Sequence, residues 1–153
     1  MKKITILLVS ILVCFVFIFT SVSVMPAEAY ESYDTKVLVV DDYATERRIV
    51  KNLLTEIGIT SIDQAGDGIT ALQKLRERKY NLVISDWTME PMTGLQLLKK
   101  VRADSSLNST RFIMISTESK TENVIAAKEA GVNNYIVKPF NANTLEQKIQ
   151  TVL

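Results

Sequence analysis

Val37-Leu38-Val39-Val40-Asp41-Asp42 is the stretch on which the reading of the chain turns. A short apolar run with no polar face is the pattern of a strand buried on both sides in a parallel sheet. Here the run ends on two carboxylates. The pattern returns three times: Leu82-Val83-Ile84-Ser85 ends on Asp86, Phe112-Ile113-Met114-Ile115 on Ser116, and Tyr135-Ile136-Val137 on Lys138-Pro139. Residues 61–65 add a weaker, polar strand. Helical spacing fills the intervals. Ile49, Val50, Leu53, Leu54 and Ile57 mark a first helical face closed by Gly58, and Ile69, Leu72 and Leu75 a second. Leu95, Leu98 and Val101 mark a third, Val124, Ile125, Ala127 and Ala130 a fourth closed by Gly131, and Leu145, Ile149 and Val152 a last. This alternation predicts an α/β fold, a doubly wound five-stranded parallel sheet with helices on both faces.

In such a sheet the ligand crevice lies beyond the carboxyl ends of the strands. Asp41, Asp42, Asp86, Ser116 and Lys138 therefore converge on one pocket. Each has an ordinary reading taken singly. The Asp41-Asp42 pair could cap the next helix, Asp86 could be a loop aspartate, Ser116 a turn former, and Lys138 a solvated lysine. Those readings leave unexplained why all of these groups end strands. Clustered carboxylates resist common ionisation, and a bound Mg²⁺ relieves the repulsion through oxygen ligands and retained waters. Asp42 and Asp86 suit direct ligation, with Asp41 acting through water. A carboxylate can also attack phosphorus, with Lys138 and Ser116 orienting and neutralising the phosphoryl oxygens.

Composition removes other chemistries. The 153 residues fit one domain, the 47% hydrophobic content supports a core, and the net charge of +1 gives no electrostatic case for nucleic acid. With no histidine there is no His-based acid–base catalysis, no His metal site and no phosphohistidine relay within the chain. The single Cys14 excludes an internal disulfide and a Cys-based zinc site. Residues 1–29 stand apart from the domain: Lys2-Lys3 precede an uncharged apolar run over 4–27, and Ala27-Glu28-Ala29 offers a small-x-small cleavage site. This reads as a signal peptide or a membrane anchor. A linker over 30–35 leads into the domain at 36–153.

The stretches VLVVDDYATERRIVKNLL, ISDWTMEPMTGLQLLKKVRAD and ENVIAAKEAGVNNYIVKPF, with the tail NANTLEQKI, resemble response-regulator receiver domains, and most nearly their single-domain chemotaxis members. The resemblance runs from about Lys36 to the end of the sequence. It implies the strand order 2-1-3-4-5 found in flavodoxin and in chemotaxis receivers. It implies that Asp86 is the phosphoacceptor, that Asp41, Asp42, Asp86 and the Thr88 carbonyl hold Mg²⁺, and that Lys138 and Ser116 bind the phosphoryl group. The Lys138-Pro139 bond should be cis. Tyr135 matches the family's switch aromatic, although alone it reads as an amphipathic residue at a sheet edge. With Val124, Phe140 and Lys148 it would form the partner face. The implied partners are a chemotaxis-type histidine kinase as donor and a phosphorylation-dependent target such as the flagellar motor switch.

The sequence also departs from the family pattern. Ser116 stands for the usual threonine, Thr88 stands where chemotaxis members often carry asparagine, and Pro91 falls one place late in Met89-Glu90-Pro91. Thr88 and Glu118 are expected to tune dephosphorylation, while Thr121 and Lys128 alter the partner face. With the chain stopping after its fifth helix, output is expected through noncovalent docking. A kinase donor implies a cytoplasmic domain, whereas the positive-inside rule places it outside; a true start at Met25 would resolve the conflict.

Rival readings fit less of the chain. Gly66-Asp67-Gly68-Ile69-Thr70-Ala71 matches a dinucleotide fingerprint, but follows a short polar strand and leaves Asp41, Asp42, Ser116 and Lys138 idle. An aspartate-nucleophile phosphatase would want a second aspartate at Thr88, and no P-loop occurs. The non-catalytic alternative is a receiver fold that binds its partner without phosphorylation.

Overall fold

The computed structural model describes residues 35–153. The expected leader over 1–29, with Cys14 and Met25, and most of the linker lie outside the described residues. The elements are β1 (Val37–Val40), α1 (Ala44–Glu56), β2 (Ile62–Ala65), α2 (Gly68–Glu77), β3 (Leu82–Asp86), α3 (Gly94–Ala103), β4 (Arg111–Ser116), α4 (Thr121–Glu129), β5 (Asn134–Val137) and α5 (Ala142–Gln150). All five strands pair in parallel in the order β2-β1-β3-β4-β5. No described helix is long and apolar enough to cross a membrane.

The continuous apolar runs are explained by the two-residue period of the strand. Leu38, Val40, Val83, Phe112 and Met114 point into one core with Leu72, Leu75, Leu97, Leu98 and Val101. Their immediate neighbours Val37, Val39, Leu82, Ile84, Ile113 and Ile115 point into the other, with Val50, Leu54, Leu145 and Ile149. The first core is covered by α2 and α3, the second by α1 and α5. Each large side chain withdrawn from water contributes about 1.5–3 kcal/mol, so both sheet faces drive folding and neither strand face can turn to solvent.

The helical faces differ in detail from the sequence reading. Ile49, Ile69 and Ile125 are exposed instead of joining the core. In α2 the buried set is Gly68, Ala71, Leu72 and Leu75, and in α3 it is Gly94, Leu97, Leu98 and Val101. Both stripes begin on a glycine, which carries no hydrophobic signal and so escapes a count of bulky residues. The reason for Gly94 is close approach: a Cβ there would collide with the Asp86 carbonyl oxygen and come within 2.8 Å of the Met114 sulfur. The Gly94 amide also donates to the Trp87 carbonyl at 2.9 Å. Thr93 and Gln96 close a reciprocal capping box on the same turn. Helix α4 is the contrast, with only Ala127 buried and no side-chain cap. At the opposite helix ends Gly58 and Gly131 take φ of 82° and 85°, the left-handed conformation that stops α1 and α4.

The dinucleotide motif proves to be a helix cap. Asp67 accepts from the Ile69 and Thr70 amides at 2.8 Å each, placing its own carboxylate on the α2 N-terminus.

Replacing Gly94 with alanine forces the start of α3 away from the end of β3. The expected loss is about 1–3 kcal/mol, the usual cost of overpacking, read as a lower urea midpoint. An unchanged midpoint would show that this contact is not rigid.

Candidate functional site

Parallel pairing brings the ends of β1, β3, β4 and β5 to one edge, with Val40 beside Ser85, Asp86 beside Ile115 and Ser116 beside Val137. Backbone bonds extend this alignment past the strands: the Trp87 amide donates to the Ile115 carbonyl and the Lys138 amide to the Ser116 carbonyl, both at 2.8 Å. The Lys138-Pro139 bond is cis, as expected, and so is Glu90-Pro91 in the loop whose proline is displaced.

Lys138 reaches back across β4 from this edge. Its Nζ donates to Asp86 Oδ1 at 2.8 Å and lies 3.5 Å from Asp41 Oδ2. A third carboxylate, Glu46 Oε2, stands 3.4 Å away. The Lys138 side chain is 19% exposed, against 6% for Asp41 and 11% for Asp86. The remaining oxygens are placed by backbone. Asp86 Oδ2 accepts from the Thr88 amide at 2.6 Å, and Asp41 Oδ1 from the Tyr43 amide at 2.8 Å. Asp41 therefore orders its own turn and does not cap α1, whose N-cap is Tyr43.

The other expected residues are more dispersed. Asp42 is exposed at the rim, near enough for its charge to act on Asp41. Ser116 is buried, and its Oγ accepts from the Glu118 amide at 2.9 Å, so the hydroxyl is turned to its own loop. The Tyr135 hydroxyl donates to the Glu118 carbonyl at 2.9 Å, and its ring meets Trp87 edge-on at 6.3 Å. A chain of direct contacts thus runs from Ser116 through Glu118 and Tyr135 to the residue after Asp86. Val124 and Lys148 are half-buried, while Phe140 packs on the core under α1 and α5.

Burial and neighbouring charge oppose each other here. Burial raises the Asp41 pKa, the Tyr43 amide and Lys138 oppose it, and the charges of Asp86 and Asp42 raise it further. Burial also works against the Lys138 ammonium. The hydrogen bond and charge of Asp86, with the charges of Asp41 and Glu46, outweigh that effect and hold its pKa above the ordinary lysine value.

Sequence reading missed Glu46, Arg47 and Trp87. Arg47 Nη1 donates to the Asp41 carbonyl at 2.7 Å and the Asp42 carbonyl at 3.3 Å, and its Nε to Gln64 Oε1 at 3.3 Å, clamping the acidic loop to β2. The only sequence cue for Glu46 and Arg47 was proximity, since both fall in the first turn of the helix that follows the Asp41-Asp42 strand end.

The donor set suits a hard divalent cation: carboxylates from two strand ends, mutually repelling, with one ammonium already between them. Among the described residues no three acidic side chains converge tightly enough to hold an ion unaided.

The chain belongs to the response regulator receiver domain family, whose model matches residues 37–150. It is 46% identical over 125 residues to chemotaxis protein CheY-3 of Vibrio cholerae, covering 82% of this chain and 96% of that protein. Its fold matches the structure of V. cholerae CheY4 with a TM-score of 0.73 and 37% identity, over 78% of this chain and 98% of that one. It also matches the response regulator protein TrrA of Thermotoga maritima, solved in complex with Mg(2+)-BeF, with a TM-score of 0.69 and 31% identity, over 78% and 99% of the two chains. The chain is a CheY-like receiver-domain signalling protein.

Two variants test the electrostatics. Lys138→Met leaves Asp41, Asp86 and Glu46 facing one another without their cation. Without divalent ions it should cost about 1–3 kcal/mol of stability, and less with Mg²⁺ present. Asp41, with a raised folded pKa, adds stability below its unfolded value of 3.8 that is lost as pH rises through the folded value. Asp41→Asn lacks that loss, so its metal-free urea midpoint should gain on wild type as pH rises above the unfolded aspartate value of 3.8.

Proposed function

We propose that this chain is a chemotaxis-type response regulator that accepts a phosphoryl group on Asp86 and signals by phosphorylation-dependent docking. The observation that carries the reading is the 2.8 Å contact between Lys138 Nζ and Asp86 Oδ1, which spans 52 residues and is largely withdrawn from water. A fixed ammonium at a carboxylate matches the charge that a phosphoryl group brings.

Asp86 acts as nucleophile. One carboxylate oxygen forms the O–P bond while the donor's P–N bond breaks, and that electron pair leaves with the imidazole nitrogen of a histidine kinase. Each Asp86 oxygen accepts a single described hydrogen bond, leaving a further lone pair for attack. Lys138 follows the phosphoryl oxygens, and the buried Ser116 hydroxyl, close by on β4, exchanges the Glu118 amide for them. Attack of water on phosphorus later breaks the O–P bond, releasing phosphate and restoring the carboxylate, at a rate to which Thr88 and Glu118 contribute. Asp41, Asp42, Asp86 and the Thr88 carbonyl would hold Mg²⁺, which when bound would supply positive charge to offset that of the phosphoryl group.

The output begins at Ser116. Movement of its hydroxyl releases the Glu118 loop, whose carbonyl holds the Tyr135 hydroxyl. Tyr135 then changes its position on the face it shares with Val124, Phe140 and Lys148, shifting a two-state equilibrium. The resemblance to chemotaxis receivers implies a flagellar motor switch component as the target. The need for a kinase donor supports a cytoplasmic working location, reached by translation from Met25 or by an inverted topology. The alternative is an exported or membrane-anchored receiver-like protein, and N-terminal sequencing of the native protein tests the start site.

Incubation with Mg²⁺ and a small phosphodonor should add one phosphoryl group by intact mass. Asp86→Asn or chelation of Mg²⁺ should abolish the adduct. A wild-type protein that stays unmodified, yet binds its target, would favour the phosphorylation-independent module. Tyr135→Ala should keep the adduct and weaken phospho-dependent docking at least severalfold; unchanged affinity would remove Tyr135 from the output path.

A further inference from the structure

We infer that Glu46 is a charge gate on the phosphoryl site, a positioning residue that holds Lys138 in competition with the incoming group and sets the pocket's balance between cation and anion. The inference rests on the proposed phosphorylation of Asp86.

Glu46 lies in the first turn of α1, directly after the acidic loop, and its carboxylate is 3.4 Å from Lys138 Nζ. It differs from the other two carboxylates around that ammonium. Asp41 is buried, Asp86 is partly buried with its side chain 11% exposed, and both are tied to backbone amides, whereas the Glu46 side chain is 39% exposed and has no described hydrogen bond. Lys138 has three N–H donors, and Asp86 alone stands within ordinary hydrogen-bond length, with Glu46 and Asp41 farther off. The Glu46 contact is therefore the one most open to solvent, at the outer side of the pocket.

Its consequences have opposite signs for the two ligands. A phosphoryl group brings roughly −2 of charge and needs Lys138, so a carboxylate paired to that lysine at the entrance repels it and competes for the ammonium. A divalent cation is attracted by the same carboxylate. Removing the charge should therefore speed phosphorylation and weaken Mg²⁺ binding together. Loss of a structural contact alone would impair both or neither.

Glu46→Gln tests this beside Glu46→Asp, which keeps the charge, and Glu129→Gln, which removes an exposed charge at the end of α4. Mg²⁺ affinity is read by calorimetry and by the fluorescence of Trp87, the only tryptophan and the neighbour of Asp86. Phosphorylation by acetyl phosphate is read by intact mass at saturating Mg²⁺. In Glu46→Gln, phosphorylation should be about two- to fivefold faster and Mg²⁺ binding weaker by a similar factor, the scale of a partly exposed ion pair. Both differences should shrink at high salt. Glu46→Asp should behave nearly as wild type and Glu129→Gln should change neither rate nor affinity. Equal rates and affinities in Glu46→Gln and wild type overturn the inference, as does any change of the same sign in both. A wild-type protein that takes no phosphoryl group overturns the underlying function instead, because Mg²⁺ affinity still reports on Glu46.

Discussion

A sheet whose strands all run the same way must collect their carboxyl ends along one edge, and the remaining features of this domain follow from that constraint. β1, β3, β4 and β5 deliver Asp41 and Asp42, Asp86, Ser116 and Lys138 to that edge. The two cores hold the strand ends in register, because a slip of one residue would turn every core side chain to the wrong face. The alignment is then finished by backbone bonds from Trp87 to Ile115 and from Lys138 to Ser116. Lys138 meets Asp86 through this scaffold, although neither strand that bears them is next to the other in the sheet.

The pocket is held in electrostatic tension. Taking carboxylates out of water costs free energy unless a cation and hydrogen bonds compensate. Here one ammonium serves three carboxylates, and backbone amides serve the two most buried. Burial and charge therefore pull in opposite directions on both Asp41 and Lys138. A site in that condition favours an added cation and is altered by any group that changes the charge on Asp86.

Much of this was legible in the sequence. The four apolar runs, their terminal residues, the strand order implied by the family resemblance and the cis Lys138-Pro139 bond all appear in the structure. The misplaced side chains share a cause. Ile49, Ile69 and Ile125 fit a helical period but lie a step off the buried stripe, and in α2 and α3 that stripe starts on glycines chosen for close approach. Glu46 and Arg47 were hidden because their roles depend on where the first turn of α1 lies in space, which periodicity does not encode. Ser116 was legible as a pocket residue, but the choice of the Glu118 amide as its partner is a matter of loop geometry.

The junction at Gly94 bears on how the domain can yield mechanically. On one side of Asp86, α3 begins in contact with the Asp86 carbonyl, closes a reciprocal cap and buries four residues. On the other, α4 has no side-chain cap and buries one. Free energies of local opening follow such differences in packing. A displacement at Asp86 is therefore opposed more firmly by the start of α3, which would have to give up tight packing and a closed cap, than by α4.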